Sequence, residues 1–263
     1  MKTEQTHSFN VSYKNVSEVQ RGLAVACFDE VQITAGSKVL DLGCGDGKIT
    51  ATMAEKFPLS KITGLDISSE LIQLASQTYQ LPNLEFICQD LRQLNVVGEF
   101  DYLFSFFALH WIENPEKLIS YEKALRALKQ GRKFYFIIPL ESPSLLKARN
   151  EAIKLVSAFN GYEIPFVESN ASVYFDIFTK LKAQLNIQET RLDETQYDLD
   201  LSDKPFKEFF SSFAPELRQC DVSAKEQVAY LDLVTAKMPR KANGNIDFDF
   251  RVVIFCGELE NGV

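Results

Sequence analysis

The sequence predicts an α/β fold: a mostly parallel sheet followed by a more helical half. Three observations carry that expectation. From Lys38 to Leu140 short apolar runs alternate with helical ones, as βα units do. Three of those runs meet an acid at or near their end, at Asp41, Asp66 and Asp90. The first leads into a tight glycine turn, Val39-Leu40-Asp41-Leu42-Gly43-Cys44-Gly45-Asp46-Gly47-Lys48.

The elements follow in order. Val16, Val19, Leu23, Val25, Ala26 and Phe28 have mixed helical spacing and predict a helix over 15–31. The turn Thr34-Ala35-Gly36-Ser37 then feeds the first strand. After the glycines a helix runs to about Phe57, where Pro58 stops it. Lys61 to Ser68 gives a second strand, and Ser68-Ser69-Glu70 opens a helix carrying Leu71, Ile72, Leu74 and Ala75. Leu84 to Leu91 and Phe100 to Phe107 read as the third and fourth strands. Pro115 suits the first turn of a helix holding Leu118, Ile119, Ala124, Leu125 and Leu128, expected to stop at Gly131. A fifth strand covers Lys133 to Leu140. Residues 144–185 look helical and aromatic, with Phe159, Tyr162, Phe166, Tyr174, Phe175 and Phe178. A strand within Ile187 to Leu199, helices over Ser202–Phe213 and Ser223–Met238, a turn at 241–245 and a last strand over Phe248–Leu259 complete the chain.

Composition excludes several classes. With 46% hydrophobic residues in 263, the chain can bury a core, and 24% charged residues is ordinary for a soluble protein. A net charge of -8 argues against a nucleic-acid footprint, which needs a basic face. Met1 to Ser12 has no apolar segment of the signal-peptide kind, and no apolar run reaches membrane-spanning length. The five cysteines, Cys27, Cys44, Cys88, Cys220 and Cys256, form no Cys-x-x-Cys pair and read as free thiols in a reducing cytosol. His7 and His110 lie at no useful spacing from them, so no metal site is expected. The expected location is cytoplasmic.

The turn itself is selective. Its Gly-x-Gly-x-Gly spacing differs from the Gly-x-Gly-x-x-Gly of dinucleotide binders, and Lys48 is followed by Ile49, not by the Ser or Thr of a phosphate-binding loop. An acid two residues before the first glycine suits a ligand that brings positive charge. Asp66 lies roughly 20 residues beyond the turn, where an acid can bond both hydroxyls of a ribose. In open α/β sheets ligands gather at the carboxyl ends of strands, so Asp41, Gly43, Gly45, Asp66, Asp90 and 105–107 group into one acid-lined cleft.

These residues resemble the class I S-adenosylmethionine-dependent methyltransferases: residues 39–48 resemble their motif I and Phe100 to Phe107 their motif IV. Ser105 to Ile112 looks like the same region of the trans-aconitate, juvenile-hormone-acid and malonyl-carrier-protein methyltransferases, and Tyr13, Gln20-Arg21 and Asn245 to Arg251 are similar to terminal parts of that group. The likeness is specific over 38–112, loose over 1–37 and 240–260, and weak over the cap. It implies a Rossmann-like, seven-stranded, mostly parallel sheet with a closing antiparallel strand and a helical cap. It implies an N-terminal helical lid at 1–37, a cofactor-binding core at 38–140, and a cap over the strand ends plus the last two strands at 141–263. It implies S-adenosyl-L-methionine as cofactor, S-adenosyl-L-homocysteine as product, and a small-molecule acceptor. The cofactor contacts it implies are Tyr13, Asp41, Gly43, Cys44, Gly45, Gly47, Asp66, Ile67, Gln89, Asp90, Leu91, Ser105, Phe106 and Phe107. Asp90 would accept from the adenine amine.

His110 and Trp111 follow the fourth strand, and the implied relatives methylate carboxylates. The expected reaction is therefore O-methylation of a small or lipophilic acid, with His110 and Trp111 as the residues at the acceptor. The alternatives are a packed His110–Trp111 pair that closes the pocket floor, a hydroxyl, nitrogen or carbon acceptor, and a cofactor-binding protein with little turnover. A nicotinamide dehydrogenase is disfavoured by the glycine spacing. Arg149 and Arg218 are candidate forks for a substrate carboxylate. The aromatics between Phe159 and Phe178 and between Phe206 and Phe213 are candidate pocket walls or core. Gly43→Val is expected to fill the cofactor's space. The oligomeric state is not readable.

Overall fold

The computed structural model describes residues 17–113, 115–165 and 167–260. Tyr13 and Phe166 lie outside them. The strands are β1 (Lys38–Leu42), β2 (Lys61–Asp66), β3 (Leu84–Cys88), β4 (Phe100–Phe106), β5 (Leu128–Pro139), β6 (Ile187–Asp198) and β7 (Asp249–Leu259). They form one sheet in the order β3-β2-β1-β4-β5-β7-β6. β1 to β5 pair in parallel, as the alternation of runs predicts, and the complete sheet is mostly parallel with antiparallel strands. The order reverses between β1 and β4, which is where such sheets bind ligands.

The helices are α1 (Ser17–Val31), α2 (Lys48–Lys56), α3 (Ser69–Thr78), α4 (Glu116–Arg126), α5 (Pro143–Ile153), α6 (Ala171–Leu185), α7 (Asp203–Phe213), α8 (Glu216–Gln219) and α9 (Ala224–Lys237). Ser68 caps α3 by accepting from Leu71 N, and Ser223 with Glu226 forms a reciprocal capping box at α9. One boundary differs from expectation. α4 ends at Arg126, and Leu128 already belongs to β5. Gly131, with φ +67°, therefore lies inside a strand, where the β4–β5 register jumps from Phe100↔Leu128 to Tyr102↔Lys133. The glycine that suggested a helix stop serves a bulge instead.

The described chain divides into two compact units, one of residues 21–139, 170–194 and 253–260, the other of residues 17–20, 140–169 and 195–252. In the first, β4 is buried along its whole length and β1 everywhere but Lys38, which is why both read as near-continuous apolar runs. Phe28 of α1 packs edge-on against Phe57, Phe104 and Phe106, with ring centroids 5.6 to 6.5 Å apart. Phe178 of α6 stacks on Phe255 of β7 at 4.0 Å.

The second unit decides two points that the sequence leaves open. Phe206, Phe209 and Phe210 of α7 are fully buried, and Phe209 packs on Phe248 and Phe250 at 5.4 and 5.7 Å. Phe159 packs on Tyr230 at 4.7 Å. These rings are core, not pocket wall, because they fill one another's space. Arg149 of α5 is also committed. It donates from Nε and Nη2 to both oxygens of Glu216, at 3.1 and 2.8 Å, and reaches Glu141 at 3.4 Å. Tyr230 donates its hydroxyl to Glu216 as well. Burial opposes the charge on Arg149, but the two carboxylates outweigh it and hold the guanidinium charged. A fork already satisfied in a dry interior cannot take a substrate carboxylate. Arg218 lies in α8, and its side chain is outside those described.

Candidate functional site

The glycine turn forms because three positions need backbone that side chains resist. Gly43, Gly45 and Gly47 have φ of +73°, +55° and +78°. Gly43 N and Cys44 N both donate to Leu65 O, at 2.7 and 3.0 Å, so the turn is tied to β2. A Cβ on Gly47 would lie 2.6 Å from the Phe86 ring, and one on Gly43 would lie 2.1 Å from Ala108 Cβ. Gly43 is therefore required by the protein's own packing, which corrects the expectation that a side chain there would fill ligand space. Gly45 differs, since nothing lies within 4 Å of its Cβ position.

Asp66 closes the turn. Its Oδ2 accepts from Gly45 N and its Oδ1 from Ser68 N, both at 2.9 Å. Each oxygen keeps capacity for another donor. Gln89 N donates to Asp66 O at 2.9 Å and brings the end of β3 alongside. Ile67 beside it is 62% exposed, an apolar side chain left in the open at a strand end. Gln89 and Leu91 are half-buried.

Asp41 lies deeper. It is buried, and Thr50 Oγ1 of α2 donates to its Oδ2 at 2.6 Å. Burial pushes its carboxyl up to about 7, helped by Asp66 and opposed by the Thr50 bond. A raised folded pKa means this group stabilises the fold fully below its ordinary 3.8 and loses that contribution as pH rises through 7. The melting point of Asp41→Asn minus that of the wild type is accordingly expected to be larger at pH 8 than at pH 5. An equal difference at both would contradict the burial of an ionising group. Cys44 is a buried thiol that burial holds neutral.

Asp90 caps a short 3-10 turn, Leu91–Gln93, and is gripped by Arg92 at 2.7 to 3.0 Å. That hydrogen bond keeps its carboxyl below the usual range. Arg92 in turn reaches Glu116 of α4 at 3.0 Å. Both Asp90 oxygens are thus engaged by a guanidinium, which an incoming amine would have to share. Arg92 and Thr50 were not singled out from the sequence. Arg92 follows Asp90 by two residues, a local signal for an Asx turn; Thr50 has none.

The end of β4 splits by strand alternation. Ser105 is buried and donates to Leu42 O at 2.9 Å, while Phe106 belongs to the aromatic core with Phe28 and Phe104. Phe107, half-buried with φ +57°, reverses the chain into a 3-10 turn, Leu109–Trp111. His110 is buried there and packs against Trp111, ring centroids 4.5 Å apart; Trp111 is 45% exposed. His110 Nδ1 has no hydrogen-bond partner among the described residues. Burial, aided by Lys117, pushes the imidazole down to about 3, so it is neutral at ordinary pH. Lys117 donates to Ile112 O and Tyr121 to Leu109 O, which fix the turn.

A reversed parallel sheet with a glycine turn at its carboxyl edge is the Rossmann-like fold of methyltransferases, and in it the chain resembles the class I S-adenosylmethionine-dependent methyltransferases. Residues 39–131 match the methyltransferase domain family. Protein 235L of Invertebrate iridescent virus 6 is 26% identical over 250 residues, 94% of this chain and 91% of that one. The trans-aconitate 2-methyltransferase of Deinococcus radiodurans is 40% identical over 84 residues, but this covers only 32% of this chain and 31% of that one. Among solved structures, a Haemonchus contortus N-methyltransferase held with phosphomonomethylethanolamine and S-adenosylhomocysteine has the same fold, with a TM-score of 0.59 at 16% identity over 91% of this chain and 53% of that one. Among the described residues no helix is long and apolar enough to cross a membrane, and no group of three or more His, Cys, Asp or Glu could hold a metal ion.

Proposed function

We propose that the chain transfers a methyl group from S-adenosylmethionine to the carboxylate of a small or lipophilic acid. The observation that carries the acceptor is the neutral, buried His110. With its imidazole pushed down to about 3, it is too weak a base to deprotonate an alcohol. A carboxylate, with an ordinary pKa of about 4, needs no base at neutral pH. The unpartnered Nδ1 of His110 is suited to donating a hydrogen bond to such an oxygen. The trans-aconitate relative supports this class of acceptor.

The turn fits the donor. Asp66 has two oxygens, each with one acceptor position in use, which suits the two hydroxyls of a ribose. Gly45 leaves its outer side open to a ligand. When bound, S-adenosylmethionine would supply an activated methyl on a good leaving group. The chain would hold donor and acceptor in line, an orientation effect that can lower a barrier by roughly 7–11 kcal/mol. Asp41, Gly43, Cys44, Gly47, Ile67, Gln89, Asp90 and Leu91 would complete the cofactor contacts; Ser105 and Phe106 would support the turn from behind.

The test is methyl transfer from labelled S-adenosylmethionine to a panel of acids, trans-aconitate first. A product that releases methanol in mild base supports the ester; a base-stable product overturns it. For His110→Gln, which keeps a donor, kcat/KM is expected within about threefold of wild type with an unchanged pH profile. A loss above about a hundredfold, the scale of general-base catalysis, would overturn the orienting role.

A further inference from the structure

We propose that Ala108 is a positioning residue, whose methyl group sets the spacing between the glycine turn and the turn that carries His110. This rests on the first turn holding the methyl donor and the second facing the acceptor. The two turns leave neighbouring strands. β1 and β4 pair in parallel with Asp41 opposite Phe104, and Ser105 Oγ donates to Leu42 O at 2.9 Å, so the strand ends are tied level. A Cβ built on Gly43 would meet Ala108 Cβ at 2.1 Å and Ala108 Cα at 3.5 Å. Its chain neighbours aside, no other described atom lies within 4 Å of that position. The Ala108 methyl thus fills the space that a side chain on Gly43 would take.

Ala108 also begins the second turn. Its carbonyl accepts from Trp111 N at 3.1 Å, which closes the 3-10 turn around His110. Phe107, immediately before it, is a non-glycine residue in left-handed backbone, a conformation that persists only where the surrounding structure enforces it. Phe107 N still donates to Ile137 O at 2.9 Å, so the reversal starts where the β4–β5 ladder ends. From the other side Tyr121 donates to Leu109 O and Lys117 to Ile112 O. The turn is therefore held between α4 and Gly43, by hydrogen bonds on one side and by one methyl group on the other. A displacement of about 1 Å between reacting groups can cost about a hundredfold in rate, so one methyl group is enough to matter.

The experiment compares the wild type, Ala108→Gly, and the exchange of Gly43→Ala with Ala108→Gly, each well below its melting point. Trp111 is the chain's one tryptophan, so acrylamide quenching of its emission reads this turn without any ligand. Trp111 starts 45% exposed, so quenching should rise by up to about twofold in Ala108→Gly and return in the exchange. Titration of Ala108→Gly with S-adenosylhomocysteine should give a Kd within about threefold of wild type. Single-turnover methyl transfer at saturating cofactor and acceptor should nevertheless fall by at least about tenfold, and the exchange should recover most of it. A merely structural Ala108 would lower the melting point and leave the rate of the folded protein within about threefold of wild type. That result, or unchanged quenching in Ala108→Gly, overturns the spacer and leaves the cofactor site standing. So does a rate loss that only tracks a loss of S-adenosylhomocysteine affinity. A wild type that binds S-adenosylhomocysteine but methylates no acid overturns the acceptor class alone, and the quenching comparison then decides the spacer. Failure of the folded wild type to bind it overturns both.

Discussion

Replacing Glu216 with alanine is expected to cost about 3–5 kcal/mol of stability, because it leaves Arg149 charged, buried and deprived of its two-pronged partner. Tyr230 loses its acceptor in the same step. For a chain of this size the melting point should fall by roughly 10 °C. Arg149→Met should cost a similar amount, since it leaves Glu216 and Glu141 buried without their shared cation. The two changes share one network, so the double variant should be less destabilised than the sum of the singles. Melting curves of the four proteins decide it. A shift of a degree or two for Glu216→Ala would mean that water reaches the guanidinium.

Gly43→Val is expected to disrupt the turn itself. Its Cβ would overlap Ala108 Cβ at 2.1 Å, and φ of +73° adds strain for any side chain. Overpacking of about 1–3 kcal/mol and a left-handed conformation of about 1–2 kcal/mol act together. Gly45→Ala has open space and carries only the strain. It should stay folded and lose at least tenfold in S-adenosylhomocysteine affinity, read by titration and checked against melting. The pair Gly43→Ala with Ala108→Gly removes the overlap and should recover most of the stability that Gly43→Ala loses. Should Gly45→Ala bind as well as wild type, the open side of the turn faces no ligand.

The sequence by itself determined the alternation of strands and helices, the glycine turn and the order of acids at the strand ends. Those features are local: apolar period, residues needing positive φ, and caps within a few positions of their targets. The class of enzyme was legible through a family resemblance, since the turn and Asp66 that carry it lie within one contiguous segment. Only the tertiary structure decided which polar groups were already spoken for. Arg149 meets Glu216 across 67 residues, and Thr50 meets Asp41 from the next helix. Neither pairing has a sequence period. His110 is neutral because packing removes water from it, and Phe206, Phe209 and Phe210 are core because other rings fill the space they face. Burial and charge pairing are sums over residues distant in the chain, and they fix whether a side chain is free to act.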